Sequence, residues 1–419
     1  MNSVSLPSDV VMEIMSRVPG KSLARFRLVS KQFRSLLSDP CFLRLHHSRS
    51  RDSLFTLRAL RKELSNFYKL RYKFSVTNKA NCVIHEFKED FSTHRRPKAN
   101  GLLPIREFTE DYRTHKSSIR MLSSHHQLLC FVCEGGIHLC DPLNKELKNL
   151  PNPPFSRCCN FNKPGECLVS FGFVDATMQY KVIKWPHDLD ENRTRRLPAS
   201  GLITVWKKVN ELKFEVLNID IVEDGRLKVS PWRLRRRLCP YLLQLSSQVH
   251  VNGYIYWTTS DFQIVSFSLQ DETFSAISPK PPCFSHGSKK SSLFTLSGSR
   301  GNLWMVEYDV PSQIMEIWKM EDKRGGWANI HKINLKGAHP KKFDGKVKML
   351  DIRSDQVLFK LSSTSKILLI CYDAKTNTLE NCGRESGDYE LCHSTDGLLS
   401  IDNLDMFHSC RPLSCFLSC

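Results

Sequence analysis

The sequence predicts two unlike parts, a small all-α module of three helices followed by a large all-β domain. Three observations lead there. Apolar residues recur at helical spacing through the first forty residues. Beyond Arg120 the apolar residues come in short runs divided by Gly, Asn, Asp, Pro and Ser. A chain of 419 residues and 48.4 kDa, 41% apolar and 25% charged, has an ordinary globular balance and room for one small module beside one large domain.

The helical elements follow in order. Leu6-Pro7-Ser8-Asp9 reads as a helix start, because proline suits a first turn whose N–H goes unused and Asp9 and Glu13 favour the positive end of the helix dipole. Val10, Val11, Ile14, Met15 and Val18 supply the apolar stripe, and Pro19-Gly20 ends it. Ser22 is expected to cap a second helix with Leu23, Phe26 and Val29 on its stripe. Phe33, Leu36 and Leu37 mark a third, which Asp39-Pro40 is expected to close. Three such helices bury little surface. The module either leans on the rest of the chain or completes its core against a partner.

The wording of this segment is also informative. Leu6-Pro7 at the opening, Lys21-Ser22-Leu23-x-Arg25-Phe26-Arg27-x-Val29-Ser30-Lys31 in the middle and Asp39-Pro40-x-Phe42 at the close resemble, in order and without a gap, the F-box of plant F-box proteins. Phe33 departs from the usual tryptophan, keeping an aromatic plug without the indole N–H, and Gly20 replaces a more usual small alkyl residue. The resemblance implies docking onto a Skp-type adaptor and, through it, a cullin of a ubiquitin ligase. It assigns Leu6, Pro7, Val10, Ile14, Leu23, Phe26, Val29 and Phe33 to the adaptor interface. Intramolecular core is the competing role for each, and for Val29 and Phe33 the two roles weigh equally.

The module is set at residues 1–45. A basic connecting region over 46–120, or the first strands of the β domain, follows. Arg44 to Arg120 holds 18 Lys and Arg against 8 Asp and Glu, so it carries +10 of the chain's net +18. Asn66-Phe67-Tyr68-Lys69-Leu70-Arg71-Tyr72-Lys73-Phe74 interleaves aromatics with cations, which suits stacking on nucleic-acid bases. Period-two alternation over Leu70 to Phe74 points instead to a strand with one packed face, and the strand reading is preferred.

Residues 121–395 are expected to form the β domain. A Gly-led aromatic strand, a second strand and an acidic turn recur weakly, at Gly136-Ile137-His138-Leu139, Gly253-Tyr254-Ile255-Tyr256-Trp257 and Gly301-Asn302-Leu303-Trp304. The last two glycines lie 48 residues apart, near the period of a kelch blade. A β-propeller fits such strands, with a large β-sandwich as the alternative. The same strings, together with Asp141-Pro142-Leu143-Asn144-Lys145, Phe171-Gly172-Phe173 and Glu316-Ile317-Trp318-Lys319-Met320, resemble the F-box-associated domain, a kelch-like region of plant F-box proteins. That resemblance implies a substrate-recruiting domain. Residues 396–419 are read as a tail.

Several function classes find no support in the sequence. The opening residues lack the basic and apolar regions of an export signal, and no apolar run is long enough to span a bilayer as a helix. An intracellular site, nucleus or cytoplasm, and reduced, mostly buried thiols are therefore expected for the 16 cysteines. Cys130-Phe131-Val132-Cys133 has CxxC spacing but sits in an apolar strand-like run without a second ligand pair, so no metal is expected. No phosphate-binding glycine loop and no nucleophile–base set is present, so neither cofactor nor catalytic residue is assigned. Arg233, Arg235, Arg236 and Arg237 follow Trp232 in one run. They are the candidate substrate contacts, because guanidinium forks bind carboxylate and phosphate bidentately, the alternative being a solvated loop. The combined reading is a non-catalytic substrate-recognition subunit that brings an unidentified protein target to a ligase. The alternative is a basic nucleic-acid-associated or scaffold propeller, motivated by the +18 charge. A propeller enzyme ranks last.

Overall fold

The computed structural model describes residues 6–49, the strand segments 52–64, 67–77 and 83–92, and most of 120–406. Asn66, Cys158-Cys159, the sequon at Asn192, Lys289-Lys290 and the cysteine-bearing end from 407 to 419 lie outside the described residues. Four helices open the chain: α1 (Ser8–Met15), α2 (Gly20–Phe26), α3 (Lys31–Ser38) and α4 (Pro40–Arg49). The fourth was not expected. Asp39 does not close the module but caps α4, its Oδ1 accepting from the Cys41 N–H at 2.6 Å and the Phe42 N–H at 3.3 Å, with Pro40 in the first-turn position that proline favours. Ser22 caps nothing, since α2 already starts at Gly20 behind Pro19. The serine that does cap is Ser30, which accepts from the Phe33 N–H at 3.1 Å at the head of α3.

The helices are tied together by polar contacts. His46 Nε2 meets the Val18 carbonyl at 3.1 Å, Arg27 donates to the Leu37 carbonyl at 3.0 Å, and Arg49 reaches both Ser16 Oγ at 2.6 Å and Glu13 Oε2 at 2.8 Å. Arg17, one helical turn on, pairs with the other Glu13 oxygen, and the two guanidiniums hold the Glu13 carboxyl below its ordinary range. Met15, Leu23, Leu37, Phe42 and Leu43 form the helical core. They belong to one apolar cluster with Leu128, Cys130, Ile137, Phe171 and Tyr180 of the β domain, so the module leans on the rest of the chain.

Among the described residues twenty-six strands follow and form six sheets arranged as a β-propeller. The first sheet contains β1 (Asp52–Leu64), β2 (Phe67–Thr77) and β3 (Val83–Ser92). The second is β4 (Arg120–His125), β5 (Leu128–Cys133), β6 (Gly136–Asp141) and β7 (Glu146–Asn149). The third is built on β8 (Val169–Val174), β9 (Gln179–Lys184), β10 (Glu211–Ile221) and β11 (Arg226–Val229), with β12 (Arg233–Leu238) also paired to β10. The fourth is β13 (Val249–Val251), β14 (Tyr254–Thr258), β15 (Ile264–Ser268) and β16 (Thr273–Ile277). The fifth is β17 (Ser292–Ser299), β18 (Asn302–Asp309), β19 (Ile314–Asp322) and β20 (Gly326–Asn334). The sixth is β21 (Lys346–Ile352), β22 (Gln356–Ser362), β23 (Ile367–Asp373) and β24 (Thr378–Glu385). Two late strands return to earlier sheets. β25 (Tyr389–Thr395) pairs antiparallel with β1, and β26 (Ser400–Met406) pairs parallel with β11. The first three strands lie within the stretch read as a basic connector or as the first strands of the β domain, and residues 400–406, read as tail, are sheet.

The cores sit between sheets, as a ring of stacked sheets requires. Trp185, Phe214, Trp257 and Phe267 fill the seam between the third and fourth, with Trp185 edge-on to both Trp257 and Phe267. Two other clusters fill the seams between the fourth and fifth and between the fifth and sixth. The glycine-led repeat corresponds to two-residue hairpins. Asn252-Gly253 and Arg300-Gly301 both have positive φ at both residues, the turn that matches strand twist. Hydroxyls on alternate residues of β17 bond across to β21. Thr295 donates to the Val347 carbonyl, Ser297 to the Met349 carbonyl, both at 2.8 Å, and Ser299 to Asp351 at 3.1 Å.

Candidate functional site

Two surfaces stand out. The first is on the helical module. Leu28 is 80% exposed, Val29 68% and Leu6 60%, and Val10, Ile14 and Phe26 are exposed as well. Large apolar side chains left in water on a small module mark an interaction surface. Their exposure follows from the local backbone. The helix α2 stops at Phe26, and the chain continues through a turn in which the Leu28 N–H meets the Arg25 carbonyl and the Val29 N–H the Phe26 carbonyl, each at 3.0 Å. The helical stripe that placed Val29 with Leu23 ends there. Leu23 is fully buried, so within this chain it is core and does not reach the exposed face. Pro7 is exposed, and Phe33 is half-buried and stacked on Phe26 with ring centroids 6.2 Å apart. Leu28 was not singled out from the sequence, because the stripe it was measured against assumed an unbroken helix.

The second surface is on the propeller. The arginine run is not a loop. It is β12, paired antiparallel with β10 from Glu211↔Leu238 to Val216↔Arg233. Strand alternation then sorts it. Arg233, Arg235 and Arg237 turn to one face and are half-buried, while Leu234, Arg236 and Leu238 are exposed on the other. The three half-buried arginines converge on Glu272, only 6% exposed at its side chain, with Arg235 Nε 3.0 Å from Oε2 and one terminal nitrogen each of Arg233 and Arg237 at 3.9 Å. Lys181, buried on β9, reaches the same carboxylate at 3.1 Å and the Leu269 carbonyl at 2.6 Å. Arg237 also donates from Nε to the Glu272 carbonyl at 2.8 Å. Glu272 closes the four-residue turn between β15 and β16 at φ 55°. The same closing position is left-handed at Met178, Gln313 and Asn377 in three other hairpins, so turn geometry directs this carboxylate. Neither Glu272 nor Lys181 was picked out by sequence, since both meet β12 only through sheet packing.

The cysteine and histidine signals resolve differently. Cys130 is buried on β5, and burial pushes its thiol well above the ordinary range, which makes it a poor nucleophile. His138 is buried on β6 against Phe131, ring centroids 5.1 Å apart, and burial lowers its pKa to about 4 against a raising hydrogen bond to Asn149. Among the described residues no cluster of His, Cys, Asp and Glu has metal-binding form, and no helix is long and apolar enough to cross a membrane.

Comparison with known proteins places these surfaces. A family model described as F-box domain matches residues 4–45, and one described as F-box associated beta propeller domain matches residues 74–395. The chain belongs to the F-box proteins that carry an F-box associated β-propeller domain. Its relatives include two F-box proteins of Arabidopsis thaliana. One is 25% identical over 65% of this chain and 60% of its own length, the other 26% identical over 76% and 69%. An F-box/kelch-repeat protein of the same plant is 22% identical over 88% of this chain and 93% of its own. The chain therefore spans roughly two thirds of the length of the first two. In this F-box protein the six exposed apolar residues all fall inside the F-box match, and β12, Lys181 and Glu272 fall inside the propeller match.

Proposed function

We propose that this F-box protein is a non-catalytic substrate-recognition subunit of a Skp-cullin-F-box ubiquitin ligase. It docks on a Skp-type adaptor through Leu6, Val10, Ile14, Phe26, Leu28 and Val29, and presents a protein target held by the propeller. The observation that carries this reading is the set of six exposed large apolar residues, all within the F-box match. Burying it against a partner removes apolar surface from water that the helical module by itself leaves exposed. The contribution to catalysis is proximity. Holding the target near the charged conjugating enzyme raises the effective concentration of its lysines, and no bond is made or broken by this chain. On this reading the protein works inside the cell, in nucleus, cytoplasm or both.

The test is capture of a Skp-type adaptor by the full chain, wild type beside an Ile14→Asp/Val29→Asp double variant. Both positions are exposed, so the substitutions leave the core intact and place charge on the docking face. The wild type is expected to retain the adaptor and the variant to lose it, with unchanged melting temperatures. Wild-type failure, or capture by the folded variant at wild-type strength, overturns the assignment.

A further inference from the structure

We propose that the inward face of β12 is an anion subsite that accepts a phosphate monoester on the target protein, with Glu272 as its resident counter-charge. The proposal rests on the propeller being the target-recruiting domain. Its starting point is a charge imbalance. Lys181 alone, buried and 3.1 Å from the Glu272 carboxylate, neutralises that carboxylate. Arg233, Arg235 and Arg237 then add three positive charges around it, each side chain more than a third exposed. A purely structural ion pair has no use for them, since like charges this close repel one another.

The donors are only partly used. Arg233 and Arg237 reach the carboxylate at 3.9 Å, too far for a hydrogen bond. The Arg233 Nε is buried and meets no acceptor among the described residues. Arg235 Nε lies 3.0 Å from Glu272 Oε2 as an ion pair but is likewise buried without a hydrogen bond. The arginines are the partly exposed members of the cluster, and Glu272 and Lys181 its buried ones. A phosphate monoester matches it better than a carboxylate does. It brings a charge of about −1.5 to −2 and three acceptor oxygens, where a carboxylate brings one charge and two oxygens. Guanidinium forks pair with phosphate bidentately, and three of them converging at one spot suit a single compact dianion.

The probe is a fluorescein-labelled Gly-Gly-Ser-Gly-Gly peptide in phosphoserine, glutamate-substituted and serine forms, bound to the full chain at near-physiological ionic strength. Polarisation is expected to show the phosphoserine form bound at least tenfold more tightly than the serine form, with the glutamate form between. Arg233→Gln/Arg235→Gln is expected to erase that preference while its melting temperature and adaptor capture stay as in wild type. Glu272→Gln is expected to tighten phosphopeptide binding several-fold by removing the resident anion, and unchanged or weaker binding overturns its counter-charge role. Equal binding of the three peptides, or a phosphate preference that survives the double substitution, overturns the subsite. Failure here with adaptor capture intact leaves the receptor reading standing. Loss of wild-type adaptor capture with the phosphate preference present removes that reading and not the subsite.

Discussion

Leu23 and Leu28 lie five residues apart and have opposite environments, one fully buried and one the most exposed of the large apolar residues on the helical module. Their composition is identical, so the difference is made by where α2 stops. Individual side chains on the propeller are set the same way. His138 is apolar-stacked and buried, and holds its proton less tightly than it does in the unfolded chain, with a pKa of about 4 against an ordinary 6.5. Between those values the unfolded chain takes up a proton that the folded chain refuses. The stability contributed by neutral His138 is therefore fully present above pH 6.5 and is lost as pH falls toward 4. At 1.36 kcal/mol per pKa unit the loss is about 3 kcal/mol. A His138→Phe variant, which keeps the stack on Phe131, is expected to lose less melting temperature than wild type between pH 7.5 and 4.5. Equal losses in the two proteins would show that His138 is not the titrating group.

Elements here are joined by polar rows as much as by apolar seams. On β17 the residues Thr295, Ser297 and Ser299 alternate with Leu296 and Gly298, so one face of the strand carries hydroxyls and the other packs. Gly298 belongs to the packed side for a steric reason. A Cβ there would stand 2.8 Å from the His250 carbonyl oxygen of β13, closer than real contacts allow. Ser297 is buried, and its hydroxyl satisfies the buried Met349 carbonyl at 2.8 Å. Replacing Ser297 by Ala leaves that carbonyl short of a donor and is expected to cost about 1–3 kcal/mol in chemical denaturation. A change below a few tenths would mean that the row adds little to the seam. The alternation was legible in the sequence as a strand. Its partner was not, because β21 lies some fifty residues away.

At the scale of the whole molecule, the last strands close the structure onto the first. β25 pairs with β1 from Asp52↔Thr395 to Arg58↔Tyr389, across more than three hundred residues. Gln127, between β4 and β5, fastens the link from β25 to β26 onto the second sheet. It donates to the Leu399 carbonyl at 2.6 Å and to Asp141 at 2.7 Å, and accepts from the Leu399 N–H at 2.9 Å, all buried. Closure of this kind leaves β1 without a free edge on that side and makes the sheets depend on one another. A chain ending at Glu385 lacks β25 and β26, and is expected to lose cooperative melting and to aggregate. A sharp transition at the wild-type temperature would show that the other sheets stand without the closure.

The sequence by itself determined the class of each part. Helical spacing from Val10 to Leu37, the ordered F-box residues and the short alternating strands all depend on contacts between near neighbours, which period and turn chemistry encode directly. Of the residues it assigned to the adaptor interface, Leu6, Val10, Ile14, Phe26 and Val29 are exposed. Tertiary structure decided the rest. It moved Leu23 into the core, brought Leu28 out, made a strand of the arginine run and a helix of Pro40 to Arg49, and returned residues 389–395 and 400–406 to earlier sheets. It also gathered Lys181 and Arg235, from two separate strands, around the carboxylate of Glu272. Each of these outcomes rests on pairing between distant segments. That pairing is fixed by which surfaces can be buried together in three dimensions, and no local periodicity records it.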